Sequence, residues 1–411
     1  MSMTPTSMKK YLPLVLAIPL LAGGARAQTY TWTGAVDSNW QTAGNWSPSL
    51  APSNTTITNG RINVNNGAAS TLLYTSAEGS TVISGTTRGL VIASGTNGSM
   101  EITGGTFSTN LATTGDIVGN GVNTGVLTVS GGSFIGSNNG GLTLNLGGTG
   151  SGTLNVSSGS ASVTSLTLGG AVGAGSSTVN LTGGTLLASS IRTFGSTSTF
   201  NFDGGTLRAR FASTTFMTGL TRANVGNGGA RIDTNGVDIT ISQALLHSNG
   251  PGANAMDGGL VKESSGTLIL SGVNSFTGDT VVNAGRLTLA STGQLFFDYN
   301  GGEFNSISGA GLLTLQGTFL FDLTGAAAGT YTIIDSSILP DTTIASTFAV
   351  ANSGWTETSG VWTSADGLSS FSELNGQLTI SVPEPGAAAL LALGSGLVFL
   401  VHRSRRAVLG A

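Results

Sequence analysis

The sequence predicts an all-β fold, a parallel β-helix (solenoid), with an N-terminal signal peptide before it and a C-terminal short transmembrane helix after it. Three observations carry that reading. The 411-residue chain holds 65 glycines while charged residues make up only 8%, so it turns often and satisfies its polar side with Ser, Thr and Asn. Short motifs recur at a near-constant spacing. Between them, aliphatic residues alternate with small polar ones in the manner of half-buried strands.

The motifs are Ile102-Thr-Gly-Gly-Thr-Phe107, Val129-Ser-Gly-Gly-Ser-Phe134, Val156-Ser-Ser-Gly-Ser-Ala161, Leu181-Thr-Gly-Gly-Thr-Leu186 and Phe202-Asp-Gly-Gly-Thr-Leu207. Their first residues lie 27, 27, 25 and 21 positions apart, a period that belongs to stacked repeats. Leu127 and Val129 alternate with Thr128 and Ser130, and Leu154 and Val156, then Leu166 and Leu168, repeat the pattern. Alternation sends the aliphatic residues to one face. Gly-Gly pairs supply the corners. No single unit buries its apolar face, whereas stacked units do. The competing architecture, a sandwich or barrel, usually shows hairpin turns about every 8–12 residues. Ile102, Val129, Val156, Leu181 and Phe202 are therefore expected to stack in one core column.

The front of the chain reads as a secretory signal. Lys9 and Lys10 precede a short apolar stretch, Tyr11 to Ala22, and Ala25-Arg26-Ala27 is a small-x-small site for a signal peptidase. Cleavage after Ala27 would leave Gln28 as the mature N-terminus. Trp32, Trp40 and Trp46 follow closely. They could line a sugar-stacking site or cover the open end of a solenoid; the cap is the favoured reading. The expected organisation is a signal peptide at 1–27, a Trp-rich cap at 28–75, β-helix repeats at 76–257, a distinct repeat at 258–290, a C-terminal β region at 291–381 and a sorting signal at 382–406.

Charge and composition exclude several functions. Six of the 15 Lys and Arg lie in the two terminal segments, leaving 9 basic against 19 acidic residues, a net of about −10. An acidic body argues against nucleic acid as a partner. Cysteine is absent, which removes disulfides, thiolate metal sites and thiol nucleophiles. No Walker loop, dinucleotide fingerprint or calcium-binding glycine repeat is read, so no cofactor or metal is expected.

The stretch from Gly258 to Ala290 resembles the autotransporter-associated β-strand repeat. The pattern falls on Leu260, Lys262, Gly266, Thr267, Leu268, Leu270, Gly272, Asn274, Phe276, Gly278, Thr280, Gly285 and Leu287. Phe276 stands where Tyr is usual and Asp279 where Gly is common. The resemblance implies a β-helix coil and no catalysis. Leu268, Leu270, Val282, Leu287 and Leu289 are expected in the core, with Asn274 at a turn, bonding local backbone or a neighbouring Asn.

At the far end, Val382-Pro383-Glu384-Pro385 precedes a mostly apolar run, Gly386 to Val401, and then His402, Arg403, Ser404, Arg405 and Arg406. This is similar to the PEP-CTERM sorting signal. That resemblance implies processing at Pro383, Glu384 and Pro385 by a membrane enzyme of the exosortase type, and association with exopolysaccharide. The run of about 16 residues gives roughly 24 Å of helix, short of a ~30 Å hydrocarbon core. The three arginines would hold the C-terminus on the cytoplasmic side. A transient membrane anchor is expected, with the body at the cell surface or in the extracellular matrix.

Polysaccharide cleavage is the competing function. Such chemistry uses paired carboxylates. The densest acidic set is Asp203, Asp233 and Asp238, with Arg208, Arg210 and Arg231 nearby. Asp203 occupies a repeat corner, and Asp233 and Asp238 flank a turn at Thr234-Asn235-Gly236, so a turn network is expected there. His247 is the one body histidine and has no nucleophile elbow beside it. No catalytic residue is assigned. A structural or adhesive surface protein is the favoured reading. A carboxylate pair on adjacent coils would favour a lyase or hydrolase, and a Ser/Thr/Asn exterior the structural role.

Overall fold

The computed structural model describes residues 28 to 381, apart from 53–55, 59, 68–69, 86–88, 112–114, 137–140, 147–148, 170–174 and 196. The expected signal peptide ending at Ala27, the Pro383-Glu384-Pro385 tripeptide, the apolar span 386–401 and Arg403, Arg405 and Arg406 lie outside the described residues. Among the described residues, no helix is long and apolar enough to cross a membrane.

The chain winds as a parallel β-solenoid with three faces. One turn runs through Asp116–Asn120 on face one, Thr124–Val129 on face two and Ser133–Ile135 on face three. The next turn repeats the cycle with Leu142–Leu146, Ser151–Val156 and Ser160–Ser162. Each strand pairs in parallel with its counterpart one turn away, building sheets of 14, 8 and 11 strands. Period-2 alternation marks face two: Ser151–Val156 is half-buried and buried by turns, because successive side chains point to opposite faces of a pleated strand, whereas Leu90–Ile92 and Asp116–Gly119 on face one are buried at successive positions.

The repeat motif sets the register. Val129 is paired with Ile102 and with Val156, Val156 with Leu181, and Leu181 with Phe202. All five are fully buried. The expected column exists, and it extends to Tyr74 at one end and Val225 and His247 at the other. A second inward column on face three runs Phe107, Phe134, Ala161, Leu186, Leu207, Ile232.

The three early tryptophans close the N-terminal end. Thr29–Trp32 is the first parallel strand of face one, and Trp46–Ser47 lies antiparallel on its outer edge. Trp32, Trp40 and Trp46 are buried, which leaves no ring free to stack on a sugar. Trp40 packs edge-on against Trp46, Tyr74 and Phe107, with centroids 4.9, 5.2 and 5.9 Å away. Its indole N–H donates to Pro52 O at 3.1 Å, and that of Trp46 donates to Trp40 O at 2.7 Å. Both rings thus bury their area with their one donor satisfied.

The other end changes architecture. Gly329–Thr332, Gln377–Ile380, Ser369–Ser372, Val361–Thr363 and Thr356–Thr358 form a five-stranded antiparallel sheet. Its Phe371 packs on Phe319, Phe321 and Phe348 of the last turns. Face two is interrupted after Leu245–His247. Single bridges, Leu246 to Ser275 and Val273 to Gln294, carry it on to a four-stranded sheet beginning at Gln294–Asn300.

Val156→Asp would bury an unpaired carboxylate between Val129 and Leu181, costing several kcal/mol. The expected outcome is loss of the cooperative β-sheet melt by circular dichroism, with Val156→Ile retaining it.

Candidate functional site

Face two carries a mostly polar exterior. Outward positions in successive turns are Thr124, Val126 and Thr128, then Ser151, Thr153 and Asn155, then Ser176, Thr178 and Asn180, then Thr197, Thr199 and Asn201. In-register stacking joins the asparagines into a ladder. Asn180 Nδ2 donates to Asn155 Oδ1 at 2.8 Å, Asn201 to Asn180 at 2.8 Å, and Asn224 to Asn201 at 2.7 Å. Asn155 Nδ2 in turn donates to Thr128 Oγ1 at 3.2 Å. Amide ladders of this kind are a property of parallel in-register strands.

The acidic and basic residues singled out from sequence do not converge on one centre. Asp203 Oδ1 accepts Gly228 N at 2.6 Å, and Asp238 Oδ1 accepts Thr267 N at 2.7 Å. Asp233 Oδ1 accepts Asn235 N at 2.7 Å, and its Oδ2 lies 3.2 Å from Arg208 Nε. Arg231 pairs with Glu263. Arg210 turns away, donating to Ser162 Oγ at 3.1 Å. Corner carboxylates holding backbone N–H groups form the turn network expected. Asp233 and Glu263 are in register on adjacent turns, each held by an arginine.

His247 enters a buried knot that sequence reasoning did not find. Its Nδ1 lies 3.0 Å from Asp257 Oδ2 and 3.1 Å from Thr277 Oγ1. The Asp257 carboxylate also accepts Thr277 N at 2.8 Å, Gly259 N at 2.9 Å and Gly278 N at 2.9 Å. A hydroxyl–imidazole–carboxylate relay needs the hydroxyl and the carboxylate on opposite ring nitrogens. Here both meet Nδ1, and Thr277 is buried. The cluster ties neighbouring turns together. Its sequence signal was Asp257-Gly258-Gly259, a repeat of the corner at Asp203-Gly204-Gly205.

A further carboxylate pair lies on adjacent turns. Asp298 and Asp322 are paired in register on parallel strands. Burial, then the neighbouring Asp322, push the Asp298 carboxyl above the usual range, with His247 opposing. Hydrogen bonds from Thr324 hold Asp322 below it. Elsewhere, a cleft of about 570 Å³ lies between the 299–304 hairpin and strand Gly329–Thr332, with Asp279, Glu303 and Asp335 among its lining residues. Among the described residues no cluster of His, Asp and Glu is arranged to hold a metal ion.

The segment 260–289 has its own internal chemistry. Lys262 occupies the face-three core column between Ile232 and Val282 and is fully buried. Its ammonium reaches a corner and donates to Thr234 Oγ1 at 2.9 Å and to the carbonyls of Glu263, Ser264 and Ala284 at 3.0, 2.5 and 3.0 Å. Gly285 leaves it room: a Cβ there would stand 2.9 Å from Nζ, at a φ of +68° that already favours glycine. Asn274 is buried where face two is interrupted. Its Oδ1 accepts Leu245 N at 3.0 Å, and its Nδ2 donates to Gly272 O and Gln294 O, each at 3.0 Å. The expected turn role is borne out in its backbone-bonding form, extended to the turns on both sides.

Residues 260–289 match the family model for the passenger-associated-transport-repeat. Comparison with curated proteins and with solved structures returned no match. The passenger-associated repeat comprises the strands Leu260–Glu263, Thr267–Leu270, Thr280–Val282 and Arg286–Leu289. Asn274, within it, bonds backbone groups where face two is interrupted, and Lys262 adds side-chain bonds to corner carbonyls beside an intact ladder. Leu268, Leu270, Val282, Leu287 and Leu289 are buried as expected.

Burial pulls the Lys262 ammonium from 10.5 down to about 8, with Asp233 and Asp238 opposing. The unfolded chain therefore keeps a proton that the folded chain releases between those values, so this residue's contribution to stability rises with pH from about 8 to 10.5. Lys262→Met should abolish that rise. At pH 7 it should cost roughly 1–3 kcal/mol through carbonyls left without a donor. Urea denaturation at pH 7, 9 and 10 checks both.

Proposed function

We propose that this chain is an exported surface protein with a structural or adhesive role, built as a polar rod within or against exopolysaccharide. The observation that carries it is the hydroxyl-and-amide exterior of face two, laid over a closed aliphatic core. The passenger-associated repeat supports display outside the cell. A signal peptidase cut after Ala27 and exosortase-type processing at Pro383, Glu384 and Pro385 complete the reading, with Arg403, Arg405 and Arg406 orienting a transient membrane anchor. No nucleic acid, metal or cofactor enters the proposed role. Intact-mass analysis of protein released from the native cell surface is expected to give a chain that begins at Gln28 and ends near Pro385. A mass that still contains Gly386 to Ala411 would replace release with lasting membrane attachment.

A second reading, polysaccharide hydrolysis, is favoured by one observation, the in-register Asp298 and Asp322 whose carboxyls are shifted in opposite directions. Paired carboxylates of split acidity suit a general acid and its partner. The structural reading ranks first because Asp233 and Glu263, also in register on adjacent turns, are held by Arg208 and Arg231, and Asp203 and Asp238 are committed to corners. Purified residues 28–381 are expected to release no reducing sugar from neutral or acidic polysaccharides. Release that disappears in Asp298→Asn and Asp322→Asn would reverse the order.

A further inference from the structure

The asparagine ladder on face two is the floor of a groove. The excursion from Ser248 to Asp257 rises beside it and is pinned in place. Asn227 Nδ2 donates to Gly252 O at 2.9 Å, and Asn227 Oδ1 accepts Asn254 N at 2.8 Å. Arg222 donates to His247 O at 3.0 Å and also bonds Asn224 Oδ1. The result is a groove of about 430 Å³ in which Asn180, Asn201 and Asn224 lie beside Thr199, Ser248 and Asn249.

The polar capacity of the floor limits what fits. Each ladder amide has two N–H donors and two acceptor lone pairs. The ladder takes one donor and one lone pair from Asn180 and Asn201, leaving one of each. The bonds all run in one sense, each amide donating toward the N-terminal end. The last acceptor, on Asn224, takes a charge-assisted bond from Arg222, so the ladder amides polarise one another. The two charged groups in the groove are already engaged, Arg222 as above and Asp203 through Gly228 N. With one guanidinium and one carboxylate among its lining residues, the groove has no net charge to favour an anionic ligand. A peptide strand finds no unpaired edge, because the backbone of face two is paired on both sides. A ligand must offer both donors and acceptors at the rung spacing of about 4.8 Å. A chain of neutral sugars does so, with roughly one pyranose ring per rung.

We infer that the groove over Asn180, Asn201 and Asn224 is a binding site for a neutral polysaccharide lying along the solenoid axis. The inference deepens the surface reading and rests on it for the supply of polysaccharide. Its test is made on purified protein, so its failure leaves surface display untouched. Titration of residues 28–381 with maltohexaose, cellohexaose and a hexamer of galacturonic acid, followed by calorimetry, gives the comparison. Binding of at least one neutral hexamer is expected, weakened about tenfold or more by Thr199→Trp, which fills the groove and removes no ladder bond. Ser248→Trp fills it from the loop side and serves where Thr199→Trp does not fold. Absence of binding by both neutral hexamers overturns the proposal. So does a preference for the galacturonate hexamer, or binding unchanged in a folded groove-filling variant.

Discussion

Everything in this molecule depends on parallel strands staying in register from one turn to the next. Because the side-chain period of a strand is two, a slip of one residue would exchange core and surface over a whole face. The register is held from both sides of the sheet. Inside, Val129, Val156 and Leu181 stack as a column. Outside, Asn155, Asn180 and Asn201 bond one another. A hydrophobic column tolerates sliding more readily than a chain of directional amide bonds, so the ladder gives the aliphatic core its alignment.

The same regularity creates a difficulty at the ends, where a stacked sheet presents unpaired backbone and an open core. The two ends solve it differently. Aromatic side chains around Trp40 fill the N-terminal opening and a short antiparallel strand blunts its edge. At the C-terminal end a separate antiparallel sheet lies over a cluster of phenylalanines. Unlike caps make end-to-end continuation of the rod into a second copy unfavourable.

The fold was legible because its signal is repetitive. The recurring Gly-Gly corners and alternating aliphatic residues mark the column from Ile102 to Phe202 in the sequence itself. Asn274 was legible for a related reason, since a turn asparagine has few roles other than bonding backbone. Lys262 and Asp257 were harder to read. A charged residue at an inward position looks like an exception to alternation until the groups that receive it are in place, and several of those, Ala284 O for Lys262 and the N–H groups of Thr277 and Gly278 for Asp257, come from segments 20 or more residues distant. The Asp298 and Asp322 pair escaped for the same reason, because its partnership exists only across turns. The antiparallel sheet at the C-terminal end had no repeat to announce it, and its strands read simply as β structure.

The interruption of face two between Leu245–His247 and Gln294–Asn300 has a mechanical consequence. Pulled end to end, a solenoid yields where the fewest backbone bonds join one turn to the next. Across this interval single bridges and the Asn274 amide stand where a full strand pair would be, while the Lys262 ammonium clips the adjoining corners from within. Tension would concentrate at that seam and leave the long regular stretch before it intact. Across that interval the load would pass to the strand pairs that faces one and three keep, so opening there would be set by two faces where the rest of the rod has three.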